Sequence, residues 1–179
     1  ALTPHLLVKL KDSGLKGVWF HIDSKQERPG WSGKNELELN ELRLRYARMV
    51  ASVKGVSCGF NTTVYEDTLK YVPELLKWAE RHINLVHAMI FIAFRPFWEK
   101  KPKGRFEYFA KGKKVEMAPD MVYQNKKGLR TDITSREIVR EIRKIYPDFE
   151  PCGYLCGTEE PDAFKWLLVL RVGTKDGIY

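Results

Sequence analysis

The chain has 179 residues, and 44% of them are hydrophobic, enough for one ordinary domain with a real core. Its 31 Lys+Arg against 23 Asp+Glu give a net charge of +8, which permits an anionic partner without establishing one. No window approaches the roughly 20 apolar residues of a membrane span. Three cysteines argue against a secreted disulfide framework, and the start lacks the charged-then-apolar pattern of a signal peptide, so the expected setting is cytoplasmic.

The opening segment reads as a helix. Thr3 suits the N-cap, Pro4 the first helical position, Leu6, Leu7 and Leu10 one apolar stripe, and Gly14 the C-terminal cap. It hands over to a strand at 17–23, where Val18, Phe20 and Ile22 alternate with Trp19, His21 and Asp23. A polar loop follows, then a long helix from about Asn35 to Lys54 whose Arg43, Arg45 and Arg48 mark the expected solvated side. A second strand begins at Val56 and leads through Asn61 to Val64. The next helix starts weakly near Asp67, restarts at Pro73 and ends near Arg81, ahead of a third strand from Val86 to Phe94.

Consecutive strand–helix units predict an α/β fold with a parallel sheet or barrel. Parallel strands turn apolar residues toward their helices. Val56, Cys58 and Phe60 are expected there in the second strand, and Ala88, Ile90, Ile92 and Phe94 in the third. That phase leaves Asp23 (with His21 below it), Asn61 and Arg95 converging at the C-terminal ends of three strands, where α/β proteins place their chemistry.

From residue 97 the sequence turns basic and aromatic, and residues 97–179 read as an accessory region beside a unit spanning 1–96. Phe97, Trp98, Phe106, Tyr108 and Phe109 are interleaved with cations through Lys114, which suits single-stranded nucleic acid, anionic lipid or a membrane surface. A solvated hairpin with its aromatics packed inward is preferred to any of these, and nucleic acid is not an expected partner. Thr134-Ser-Arg-Glu137 is a capping box ahead of a helix that buries Ile138, Val139, Ile142 and Ile145. Cys58 is expected in the core, and so are Cys152 and Cys156, whose spacing is insufficient for an auxiliary cluster. No Walker sequence, dinucleotide fingerprint or zinc-ligand spacing occurs.

Phe20-His-Ile-Asp-Ser24 is similar to the fourth-strand motif of radical S-adenosylmethionine enzymes. Val56 to Val64 resembles that family's fifth strand, and Met89 to Pro96 its sixth. Residues 20–54, with Arg28-Pro29 and Glu38-Leu-Asn-Glu-Leu-Arg43, resemble a subgroup related to archaeal tetraether lipid synthase, members of which are also described as hydroxymethylpterin methyltransferases.

The resemblance implies the C-terminal half of a partial (β/α) TIM-like barrel with an appended α+β region. It implies an enzyme that reductively cleaves S-adenosylmethionine at a [4Fe–4S] cluster, fed by an electron donor such as ferredoxin or flavodoxin. The reaction would be radical C–H chemistry, carbon–carbon coupling or methylation, on a lipid hydrocarbon ahead of a pterin-like substrate. By the same correspondence His21, Asp23, Ser24, Asn61, Thr63 and Arg95 lie about the S-adenosylmethionine; no catalytic residue and no metal ligand is assigned. The family's three cysteines, spaced three and then two residues apart, are not in this sequence, so the cluster ligands and the earlier strands are expected upstream, and the segment alone is expected to be inactive. The remaining reading is a non-catalytic basic module that binds anionic polymers or membrane surfaces through residues 97–130.

Overall fold

The computed structural model describes residues 2–94, 108–115, 130 and 133–150, together with the backbone of four short strand segments after them. Helix α1 (Pro4–Asp12) is capped by the Thr3 hydroxyl, which accepts from the Leu6 N–H, and Gly14 follows at φ 104°. Of its stripe only Leu7 is buried, while Leu6 and Leu10 remain exposed. Strand β1 (Gly17–His21) comes next, then a 3₁₀ turn (Ser24–Gln26). Helix α2 (Asn40–Ala51) is shorter than its periodicity suggests, because residues 35–39 are taken up by turns in which Asn35 Oδ1 accepts from the N–H groups of Leu37 and Glu38.

Strand β2 (Ser57–Val64) leads through a 3₁₀ turn (Leu69–Tyr71) into helix α3 (Val72–Arg81) and strand β3 (Ala88–Ala93). After the β4–β5 hairpin (Tyr108–Ala110 and Lys113–Val115), helix α4 (Ser135–Arg143) opens on the expected capping box. The Thr134 hydroxyl accepts the Glu137 N–H, and the Glu137 carboxylate accepts the Thr134 N–H at 2.8 Å. Arg130 beside Glu137 is the first of the causes that hold its carboxyl down to about 2. Two further antiparallel pairs are β6 (Gly153–Cys156) with β7 (Phe164–Leu168), and β8 (Gly173–Thr174) with β9 (Gly177–Ile178).

Strands β1, β2 and β3 form one parallel sheet in sequential order, with Gly17 beside Ser57, His21 beside Asn61 and Phe60 beside Met89. Sequential order with crossovers of one hand places the helices on one face. Leu7 of α1, Leu42, Ala47 and Val50 of α2 and Trp78 of α3 accordingly close one core over Val18, Phe20, Ile22, Cys58 and Phe60. Phe20 stacks on Tyr46 at 4.5 Å, and Phe60 meets Trp78 edge-on at 6.0 Å. A second cluster joins Val64 and Val72 to Ile138, Val139 and Ile142, so α4 packs on the same face as α3. The fold shown is therefore α/β, a three-stranded parallel sheet flanked by helices.

Two sequence expectations are corrected. In β3 the helix-facing residues are Met89, Phe91 and Ala93, each packed into a core cluster, whereas Ile90 is exposed. The register decides this: a residue beside Phe60 or Thr62 must point as they do. In α2, Arg43 is fully buried, while Arg45 and Arg48 are exposed as expected.

Candidate functional site

The sheet face away from the helices carries Trp19 and His21, followed by Asp23, on β1, Gly59, Asn61 and Thr63 on β2, and Ile90 on β3. Its lower part is apolar. The Trp19 indole lies flat across two glycines, because a Cβ on Gly59 would stand 2.4 Å from its Nε1 and one on Gly17 would stand 2.4 Å from its ring. Those close approaches require glycine at both positions. Trp19 is nevertheless 48% exposed, and Ile90 beyond it is exposed too.

Polar groups gather at the C-terminal edge. His21 Nε2 lies 2.8 Å from the Thr63 hydroxyl and 3.1 Å from Asp23 Oδ2. Asn61 sits beside His21 in the register, and among the described residues its buried Oδ1 accepts no hydrogen bond. Ser24 contributes through its backbone, where its N–H donates to Glu36 Oε1 at 2.7 Å. His21, Asp23, Asn61 and Thr63 are thus brought together, Ser24 is placed by its backbone, and Arg95 lies outside the described residues.

Asp23 has a local duty as well. Its Oδ1 accepts the Lys25 N–H at 3.0 Å and so caps the 3₁₀ turn after β1. Burial raises its proton affinity, and the nearby Glu36 charge raises it further; the Lys25 N–H, His21 and the Thr63 hydroxyl pull the other way without prevailing. A carboxyl whose folded pKa lies above its unfolded value of 3.8 contributes stability that is fully present below 3.8 and lost as pH rises through the folded value. Asp23→Asn keeps the cap and removes the buried charge, so its melting temperature should exceed that of the parent at pH 7. The gain should vanish once the pH falls below 3.8. A gain that persists unchanged in acid would assign it to something other than ionisation.

Beneath this edge is a network that the sequence reading missed. The Arg43 guanidinium donates to Glu36 Oε2 at 2.7 Å, to the Glu36 carbonyl at 2.7 Å, to the Ile22 carbonyl at 2.8 Å and to Asn40 Oδ1 at 2.9 Å. Thr62 also donates to the Ile22 carbonyl, at 3.2 Å. Both charged side chains are 0% exposed. One ion pair therefore fixes the end of β1, the turn after it and the neighbouring hydroxyl of β2. Around the rim, Arg28 donates to the His21 carbonyl, and Lys25 pairs with Asp67 to join the loops that follow β1 and β2.

Among the described residues no cluster of His, Cys, Asp or Glu has the arrangement of a metal site. Cys58 is buried in the core, as its alternation implied, and burial pushes its thiol up to about 12. A thiol packed in the apolar core, with no further ligand grouped about it among the described residues, does not suit a cluster. Cys152 lies outside the described residues, and only the backbone of Cys156 is described. No helix among the described residues is long and apolar enough to cross a membrane.

A scan against family models finds no match for this chain, and searches of curated proteins and of solved structures find none either.

Proposed function

We propose that this chain supplies the later strands of a radical S-adenosylmethionine enzyme's partial (β/α) barrel, and that the ends of β1 and β2 hold the cofactor. The observation that carries this reading is the meeting of His21, Asp23, Asn61 and Thr63 at the C-terminal ends of adjacent parallel strands, on the face opposite the helices. Sequential strand order with the described helices on one side is what a barrel wall needs. The resemblance of residues 20–24 and 56–64 to the family's strand motifs supplies the identity of the ligand.

The edge fits the ribose and methionyl portion of S-adenosylmethionine. Asn61 Oδ1 is a buried acceptor that the described residues leave without a donor, and a ribose hydroxyl or an ammonium provides one. Asp23 offers a second acceptor, and Thr63 and Asp23 together set the plane of the His21 ring. When bound, S-adenosylmethionine supplies hydrogen abstraction from unactivated carbon; the chain binds it, orients it and excludes water. The one described thiol lies in the apolar core without companion ligands among the described residues, so the ligands of a [4Fe–4S] cluster are assigned to residues outside those described here, and no step is drawn through it.

Trp19 below the polar edge and Ile90 beside Asn61 favour an apolar substrate, a lipid hydrocarbon chain ahead of a pterin. A cytoplasmic setting with ferredoxin or flavodoxin as donor fits that chemistry. The reading frame upstream of Ala1 tests the assignment. It should encode three cysteines spaced three and then two residues apart within roughly 150 residues, the length that the earlier strands of a barrel occupy. An upstream frame without them would contradict the proposal.

A further inference from the structure

The β4–β5 hairpin forms a two-stranded sheet of its own. Ala110 faces Lys113, which leaves a two-residue turn of Lys111 and Gly112, with φ of 51° and 74°. Positive φ at both positions is the type I′ geometry that matches the twist of a tight hairpin, and asparagine or glycine ordinarily fills its first place. Here a lysine takes that sparsely populated conformation, which puts an ammonium group at the very tip.

Phe109 faces Lys114 across the ladder and is 61% exposed, so the expectation that the segment's aromatics pack inward fails at this residue. Lys111, Lys113 and Lys114 are all exposed beside it. Phe109 and Lys114 share one face of the ladder, Lys113 stands on the other and Lys111 at the tip, so an exposed phenyl ring sits on a hairpin that carries positive charge.

We propose that this hairpin docks the protein on anionic membrane surfaces, with Phe109 entering the boundary between headgroups and acyl chains and the lysines meeting the acidic headgroups. Charge complementarity selects the partner. The cations are lysines, compact point charges that accumulate on acidic lipid, rather than the planar forks suited to bidentate contacts. Single-stranded nucleic acid is the poorer fit, since successive bases need successive rings and the residue opposite Phe109 is a lysine. One wedge beside the charges of Lys111 and Lys113 gives reversible contact, because stable anchoring takes more than one strong signal.

The test is co-sedimentation of the full chain with vesicles of phosphatidylcholine alone and of phosphatidylcholine containing about 30% phosphatidylserine, enough to give a negative surface potential. Binding should be confined to the acidic vesicles and should weaken strongly in about 1 M salt, where charges are screened beyond ~3 Å. Lys111→Gln and Lys113→Gln should each weaken it about fivefold, the effect of one lysine near such a surface. Phe109→Ser should abolish it and Phe109→Leu should retain it, with unchanged circular dichroism in each case. Equal binding to neutral vesicles would overturn the proposal, as would binding indifferent to these substitutions. A labelled oligothymidylate bound more tightly than the acidic vesicles would overturn it in favour of nucleic acid.

Discussion

Replacing Arg43 with methionine should destabilise the protein by about 3–5 kcal/mol, the usual consequence of removing one member of a buried ion pair. For a chain of this size that is roughly 6–20 °C in melting temperature. The guanidinium neutralises Glu36, which is itself fully buried, and it satisfies the Ile22 carbonyl at the end of β1. Without it Glu36 must carry an uncompensated charge or take up a proton, and among the described residues the Ile22 carbonyl keeps only the Thr62 hydroxyl as a side-chain donor. The double variant Glu36→Leu with Arg43→Met should recover much of the loss, because both desolvation penalties then disappear together. Urea denaturation of the parent, both single variants and the double variant measures the coupling. A single Arg43→Met variant within about 0.5 kcal/mol of the parent would show that the pair is not what holds this edge.

Asp23→Ala should weaken S-adenosylmethionine binding by about ten- to a hundredfold, the range expected when a hydrogen bond to a charged group worth ~1.5–3 kcal/mol is removed. Asp23 is buried at 2% exposure, so a ligand group that reaches it is desolvated and the contact is not screened as a surface pair would be. Equilibrium dialysis with labelled S-adenosylmethionine, on the protein with its cluster intact, is the measurement. Asn61→Ala should lower affinity as well, since Asn61 Oδ1 is the acceptor left open by the described residues. Affinity that survives both substitutions would leave Asp23 as the cap of its 3₁₀ turn and nothing more.

These two residues differ in how plainly the sequence announces them. Asp23 stands out because Val18, Phe20 and Ile22 set one wholly apolar face against a mixed one of Trp19, His21 and Asp23. The same holds for β2, where Cys58 and Phe60 turn to the helices and Asn61 and Thr63 turn away. Strand β3 offers no such contrast. Ala88-Met-Ile-Phe-Ile-Ala93 is apolar throughout, so composition leaves its phase open, and only the pairing of Phe60 with Met89 fixes it.

Arg43 was legible in spacing but hidden by its type. Leu39, Leu42, Arg43, Tyr46, Ala47 and Val50 form one continuous helical stripe, and a charged residue inside such a stripe signals a buried partner. The partner itself gives no local signal, because Glu36 sits in a turn ahead of the helix and reaches Arg43 only after the chain has folded back. Helix α4 shows the opposite case: Thr134 and Glu137 carry the whole capping box within four residues, so local sequence suffices. Phe109 was misjudged for want of information about its neighbours across the hairpin, where Lys114 rather than a second apolar residue stands opposite.

The most direct test of the central claim is made on the polypeptide encoded by the whole reading frame, purified without oxygen and supplied with iron, sulfide, a reductant and S-adenosylmethionine. The account predicts release of 5′-deoxyadenosine that depends on the reductant and falls sharply in the Asp23→Ala variant while the cluster absorbance is unchanged. Failure of the parent protein to bind iron and sulfide and to release 5′-deoxyadenosine would contradict it.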